Sequence, residues 1–126
     1  MTYQWNVFRA DLDPIIGREQ AGQRPVLVVS AEPLNEHYDV VMVVPITSRK
    51  GNRSPRLGEV LLPPGTGGLP LESFALCYQV RALDKSRLIR EYGEIAEGPL
   101  RDDIAATLSE CFDLVIEARD ESDPGA

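Results

Sequence analysis

The feature that most constrains the fold is the rhythm of the apolar residues: short β-rich runs closed within a few positions by Gly, Pro, Asn or Asp, and one helical stripe near the end. Residues 6–10, 26–30, 40–46, 59–62, 73–82 and 88–95 read as strands on this pattern. The runs at 26–30 and 40–46 are almost continuously apolar, as in strands buried on both faces. Residues 31–37, with Pro33, read as a single helical turn or loop. Gly98-Pro99 ends the strand pattern and opens a helix, since proline at a first helical position forfeits no hydrogen bond. Leu100, Ile104, Leu108, Cys111, Phe112 and Val115 follow at spacings of three and four, one apolar stripe to face the core. Short strands, Gly- and Pro-rich loops and one terminal helix predict a small antiparallel barrel or curled sheet.

A chain of 126 residues, 43% hydrophobic and 26% charged, is long enough for one core. Residues 1–118 are expected to form a single domain and residues 119–126, polar with a Pro-Gly step, a disordered tail. No apolar run approaches membrane-spanning length, and the first residues lack the basic start and apolar stretch of a leader, so a cytoplasmic protein with no membrane partner is expected. Cys77 and Cys111 match neither a redox pair nor a zinc pair in spacing, and both are expected to be buried thiols. With a single histidine, His37, and carboxylates at no ligand spacing, no metal or other cofactor is expected.

The formal charge of -7 argues at first against a nucleic-acid ligand. Its distribution weakens the objection, because residues 101–126 hold eight acids against two arginines. The remainder is nearly neutral and carries basic clusters at Arg49, Lys50, Arg53 and Arg56 and at Arg81, Lys85, Arg87 and Arg90. The first cluster lies in S-R-K-G-N-R-S-P-R-L, whose Gly, Asn, Ser and Pro are those of a mobile loop.

Residues 11–30, D-L-D-P-I-I-G-R-E-Q-A-G-Q-R-P-V-L-V-V-S, join two strand-like runs through a long loop dense in charge. Pro25 pushes Arg24 toward an extended backbone at the mouth of a strand, a constrained launching point for a site side chain. This stretch, V-V-P-I-T-S from Val43, L-P-P-G-T-G-G-L-P-L-E-S-F and A-L-D-K-S-R-L resemble, in order and spacing, the MazF/PemK family of toxin-antitoxin ribonucleases. The resemblance spans roughly residues 6–116.

The resemblance implies an SH3-like barrel of the CcdB/PemK type with a C-terminal helix, a homodimer, a cognate antitoxin, and cleavage of single-stranded RNA, in particular mRNA. RNA carries its own nucleophile, the 2′-hydroxyl, so an enzyme need only align the strand, stabilise charge on the phosphoryl oxygens and move protons. Metal-independent cleavage to a 2′,3′-cyclic phosphate and a 5′-hydroxyl follows. By motif position Arg24 matches the family's catalytic arginine and Thr47 its catalytic threonine. Arg24 would clamp the phosphate through its fork of donors. A guanidinium does not deprotonate in a protein, so Glu19 is the candidate base or the group that orients Arg24. An ion pair of Arg24 with Glu19 that merely braces the loop, and a turn-forming hydroxyl at Thr47, are the structural alternatives. Arg18, Gln20, Ser48, Arg49, Lys50, Arg53, Arg56, Gln79 and Arg81 are the expected RNA contacts.

The chain departs from the family at two places. Many relatives carry an acidic residue before Gln79, where this chain has Tyr78, read as a half-buried strand residue. One branch has a catalytic histidine before the Glu-Gln, where this chain has Arg18. A non-catalytic, CcdB-like inhibitor of a protein target and a degenerate relative that only binds RNA or antitoxin are the rival readings. The E-Q-A-G-Q-R-P and P-I-T-S segments favour the nuclease.

Overall fold

A computed structural model describes residues 2–14, 16, 17, 19 and 22–114. The elements run β1 (Asn6–Asp11), β2 (Gln23–Val28), α1 (Glu32–His37), β3 (Val40–Ser48), β4 (Glu59–Leu62), β5 (Ser73–Leu76), β6 (Arg81–Asp84), β7 (Leu88–Glu94) and α2 (Pro99–Cys111). All pairings are antiparallel. The sheet order is β4-β5-β3-β2-β1-β7, with β6 paired to the first half of β3. The mainly β architecture with a terminal helix is the expected one, but the barrel is not closed: β4 and β7 are the ends of the path.

β3 organises the sheet. Its first half pairs with β6 from Val40↔Asp84 to Val43↔Arg81, and its last three residues pair with β5. Along the other edge Val26↔Pro45 to Val28↔Val43 tie it to β2. Such a strand must be apolar on both faces, and Val41, Val43, Val44, Pro45 and Ile46 are buried. The alternation of side chains divides the core in two. Val7, Leu27, Val44, Ile46, Leu62 and Ile104 pack on one side, and Phe8, Ala10, Leu12, Val26, Val28, Val43 and Leu83 on the other.

The turn before β5 shows why glycine recurs there. Gly68 has φ +78°, and a Cβ on it would stand 2.6 Å from the carbonyl oxygen of Tyr92. The P-P-G-T-G-G segment is thereby seated directly on β7.

Four expectations need correction. The strand read over residues 73–82 is broken: β5 ends at Leu76, a 3-10 turn occupies Cys77–Gln79, and β6 begins at Arg81. The turn upsets the alternation, so that Cys77 stays inside while Tyr78 is 55% exposed, not half-buried in a strand. Burial pushes the Cys77 thiol up to about 12. Cys111 is exposed, because α2 ends there and only its earlier turns cover the core through Ile104, with Leu100 and Leu108 partly buried. Phe112 is exposed as well, and Val115 and the expected tail at 119–126 lie outside the described residues. The helical turn read over residues 31–37 is present as α1, whose Asn35 bonds the Ser30 carbonyl and the Glu32 carboxylate.

Candidate active site

The long loop of the sequence is the connection of a β1–β2 hairpin. It closes at its base through the Leu12 N–H donating to the Gly22 carbonyl (3.0 Å) and the Gly22 N–H donating to Asp13 Oδ1 (3.0 Å). Arg81 Nη1 donates to the Leu12 carbonyl at 3.4 Å, and Arg87 Nη1 to that of Asp13. Glu19 is exposed, with its backbone N–H toward the Ile16 carbonyl at 3.4 Å. Arg18 and Gln20 lie outside the described residues.

Arg24, partly buried in β2, pairs with Ala10 of β1. The β2–β3 alignment sets Val26 opposite Pro45. That ladder ends there, two residues short of Arg24 on β2 and of Thr47 on β3, and Arg24 lines one cleft with Ser48, the chain neighbour of Thr47. Thr47 is held from its other edge by Phe74 of β5. The connection from β2 through α1 to β3 thus brings segments far apart in sequence side by side.

Two hollows open around this pair. Arg24, Gln23, Ser48, Ser73, Arg90 and Tyr92 are among the residues lining a cleft of about 610 Å³ walled by Leu69, Pro70 and Leu71. Thr47, Ser48, Lys50, Arg53, Arg56 and Tyr78 line a shallower hollow of about 260 Å³. Ser48 borders both.

The basic loop is not a loose strap. Arg53 lies 4.0 Å above the Phe74 ring and makes a two-pronged contact with Glu59, Nη1 to Oε1 at 2.7 Å and Nη2 to Oε2 at 3.1 Å. Glu59 also accepts from the Arg56 N–H at 2.7 Å. The Arg53 guanidinium, opposed by burial and helped by that N–H, holds the Glu59 carboxyl below the usual range. Arg49 Nη1 bonds Glu72 Oε1 at 2.7 Å. Among the described residues Lys50 makes no hydrogen bond or ion pair, and it and Arg56 are exposed. Gln79 Nε2 donates to the Tyr78 hydroxyl at 3.1 Å.

One group of residues escaped the motif reading. Arg9 of β1 stands opposite Arg90 of β7, donates from Nη1 to the Tyr92 hydroxyl at 3.2 Å and from Nε to Gln23 Oε1 at 3.2 Å. Arg90 lies 4.9 Å from the Tyr92 ring centre. Hydrogen bonding from Arg9, with Arg90 adding to it against some burial, holds the Tyr92 hydroxyl below the ordinary tyrosine range. No local pattern could have shown this, because β1 and β7 meet only in the folded sheet.

An antiparallel sheet with a terminal helix and a cleft bordered by arginines and hydroxyl groups defines a small, mainly β protein of the SH3-like kind. The chain belongs to the PemK-like, MazF-like toxin family of type II toxin-antitoxin systems, whose match covers residues 3–112. It is 33% identical over 105 residues to "Endoribonuclease MazF9" of Mycobacterium tuberculosis, covering 79% of this chain and 87% of that protein. Over 88 residues it is 35% identical to "Endoribonuclease MazF" of Staphylococcus saprophyticus, covering 70% and 72%. Among solved structures, MazF of Deinococcus radiodurans superimposes with a TM-score of 0.68 at 27% identity, covering 88% of this chain and 96% of that one. An endoribonuclease solved with its cognate antitoxin, from a mycobacterial species, superimposes at 0.73 and 23% identity, covering 93% and 100%, and supports the fold.

Proposed function

We propose that this chain is the toxin of a toxin-antitoxin pair and an endoribonuclease that cuts single-stranded RNA, mRNA above all, by attack of the 2′-hydroxyl on the adjacent phosphate. The observation that carries this reading is that Arg24 lines a cleft together with Ser48, the chain neighbour of Thr47, and with Arg90, a concentration of cationic and hydroxyl groups in a chain of net charge -7. Arg24 supplies a planar fork of donors to the phosphoryl oxygens, and Thr47 adds a hydroxyl to the same oxygens as charge builds on them. Glu19 takes the proton from the 2′-hydroxyl or orients Arg24 when RNA fills the site. The strand runs past Ser48 along the loop, where Lys50 and Arg56 present their charge outward and Arg49 and Arg53 hold the loop's shape through Glu72 and Glu59. Gln79, in the turn before β6, and Arg81, at the start of β6, border the path, and Arg18 and Gln20 are proposed as further RNA contacts.

The attack forms the 2′-oxygen to phosphorus bond and breaks the bond to the 5′-oxygen, so the first products are a 2′,3′-cyclic phosphate and a 5′-hydroxyl. Because the substrate supplies the nucleophile, no metal is required. The toxin acts as a homodimer, is silenced by a cognate antitoxin, and works in the cytoplasm where mRNA is found. Among the described residues no helix is long and apolar enough to cross a membrane. Incubating the protein with a long mixed-sequence RNA in EDTA and identifying the ends tests the reading. Cyclic phosphate and 5′-hydroxyl ends are expected, whereas activity lost to chelation and restored by magnesium would sink the mechanism.

A further inference from the structure

The charges of this protein divide into two kinds. Arg49, Arg53 and Arg101 each spend their charge on a carboxylate at 2.6–2.7 Å. Arg9 and Arg90 do not: among the described residues neither has a carboxylate within ion-pair distance. The polar partners of Arg9 are the neutral Gln23 amide oxygen and the Tyr92 hydroxyl. Two guanidinium groups stand on neighbouring strands, with Arg90 and Tyr92 lining the cleft that Arg24 also lines. Two neighbouring arginines with no carboxylate to neutralise them present local positive charge that an anion can meet.

The tyrosine sharpens the chemistry. Its oxygen accepts from Arg9, so its own proton is left to be given elsewhere, and the partly exposed ring lines the cleft. A hydroxyl donor beside a guanidinium is the donor set for a tetrahedral oxyanion, and planar arginine suits phosphate better than a lysine would. Gly68 packs on the Tyr92 carbonyl, and the residues that follow it, Leu69 to Leu71, line the same cleft.

We propose that Arg9, Tyr92 and Arg90 form a phosphate subsite for the RNA strand, holding the phosphate of a nucleotide next to the one cut at Arg24. The subsite builds on the proposed ribonuclease function, and it assigns to the strand a second fixed point beyond the scissile phosphate. Arg90 and the Tyr92 hydroxyl touch the phosphate; Arg9 is a positioning residue that holds Tyr92 and adds charge behind it. Two fixed points on one strand set the direction in which RNA threads the cleft.

The test is a binding titration with an all-deoxy single strand, which keeps every phosphate and lacks the nucleophile, shortened one nucleotide at a time from either end. Wild-type protein should lose about tenfold in affinity at the step that removes the held phosphate, the scale of a hydrogen-bonded charged contact. Arg90→Ala should bind the longer strand about tenfold more weakly, show no further loss at that step, and lower the slope of log affinity against log salt by about 0.7, one phosphate's worth. Tyr92→Phe, which keeps the ring and its packing, should lose a few-fold in affinity at the same step only. Equal affinity, slope and truncation step for Arg90→Ala and wild type would overturn the subsite. So would a loss of polyglutamate binding with single-strand binding intact, which would assign the cleft to an acidic protein segment. Cleavage of RNA by the wild type is read separately, so a protein that binds but does not cut would count against the ribonuclease reading and leave the subsite judged on binding alone.

Discussion

At the scale of single residues, the proposed chemistry rests on Arg24 and Thr47, two groups chosen by motif and carried on strands of the sheet. Thr47→Ala removes one preorganised donor to a developing charge and should lower the cleavage rate by roughly a hundredfold, with RNA binding little changed. Measuring single-turnover rate and affinity side by side checks this. Loss of binding in step with rate would show that Thr47 serves the ground state instead. The two cysteines give a prediction independent of catalysis. Cys111 is exposed and Cys77 buried, its thiol raised to about 12, so iodoacetamide at neutral pH should label Cys111 and spare Cys77 in the folded protein, as peptide mass mapping would read. Arg24 and Thr47 could be proposed from the sequence because short motifs carry them. Arg9 and Tyr92 could not, since their hydrogen bond joins strands 83 positions apart and neither residue type is distinctive alone.

At the scale of elements, the loop after β3 behaves as a braced arm. Glu59, buried at the start of β4, accepts three hydrogen bonds from Arg53 and the Arg56 backbone. Its folded carboxyl titrates below the unfolded one, so its contribution is present above the ordinary glutamate range and is lost as pH falls through the depressed value. Glu59→Gln should therefore be less stable than wild type at neutral pH and should converge with it in strong acid, as denaturant midpoints across pH would record. A constant gap at all pH values would mean that the carboxylate's charge is irrelevant. Reversing Lys50 and Arg56 together should flatten the salt dependence of RNA binding while leaving the melting temperature nearly unaltered. Reversing Arg53 should unfold the loop, because it would set two carboxylates at one buried point. The strands were legible as β-branched runs between turn formers. The break at Cys77–Gln79 was hidden because F-A-L-C-Y reads as unbroken strand until the chain must leave β5 and reach the other half of β3. The loop's acidic partners were equally hidden, as Glu59 and Glu72 belong to other segments.

At the scale of the whole molecule, the apolar pattern pointed to a small β domain with a terminal helix, and the short runs and single stripe were enough for that. Whether the sheet closes was not in the sequence, because it depends on which edges β4 and β7 present and on the bend of β3. The net charge of -7 misleads in the same way: the potential an RNA strand meets is set by the arginines that three adjacent strands gather and by which of them already hold a carboxylate. Arg24, at the mouth of β2, is the residue proposed to stabilise charge during cleavage. The most direct test of that role is the single-turnover rate of Arg24→Ala on RNA in EDTA, in protein shown by gel filtration and circular dichroism to be folded and assembled like the wild type. The rate should fall by roughly a hundredfold or more, with Arg24→Lys recovering little, because a point charge cannot reproduce a two-pronged clamp. A folded Arg24→Ala protein that cuts at the wild-type rate would contradict the account.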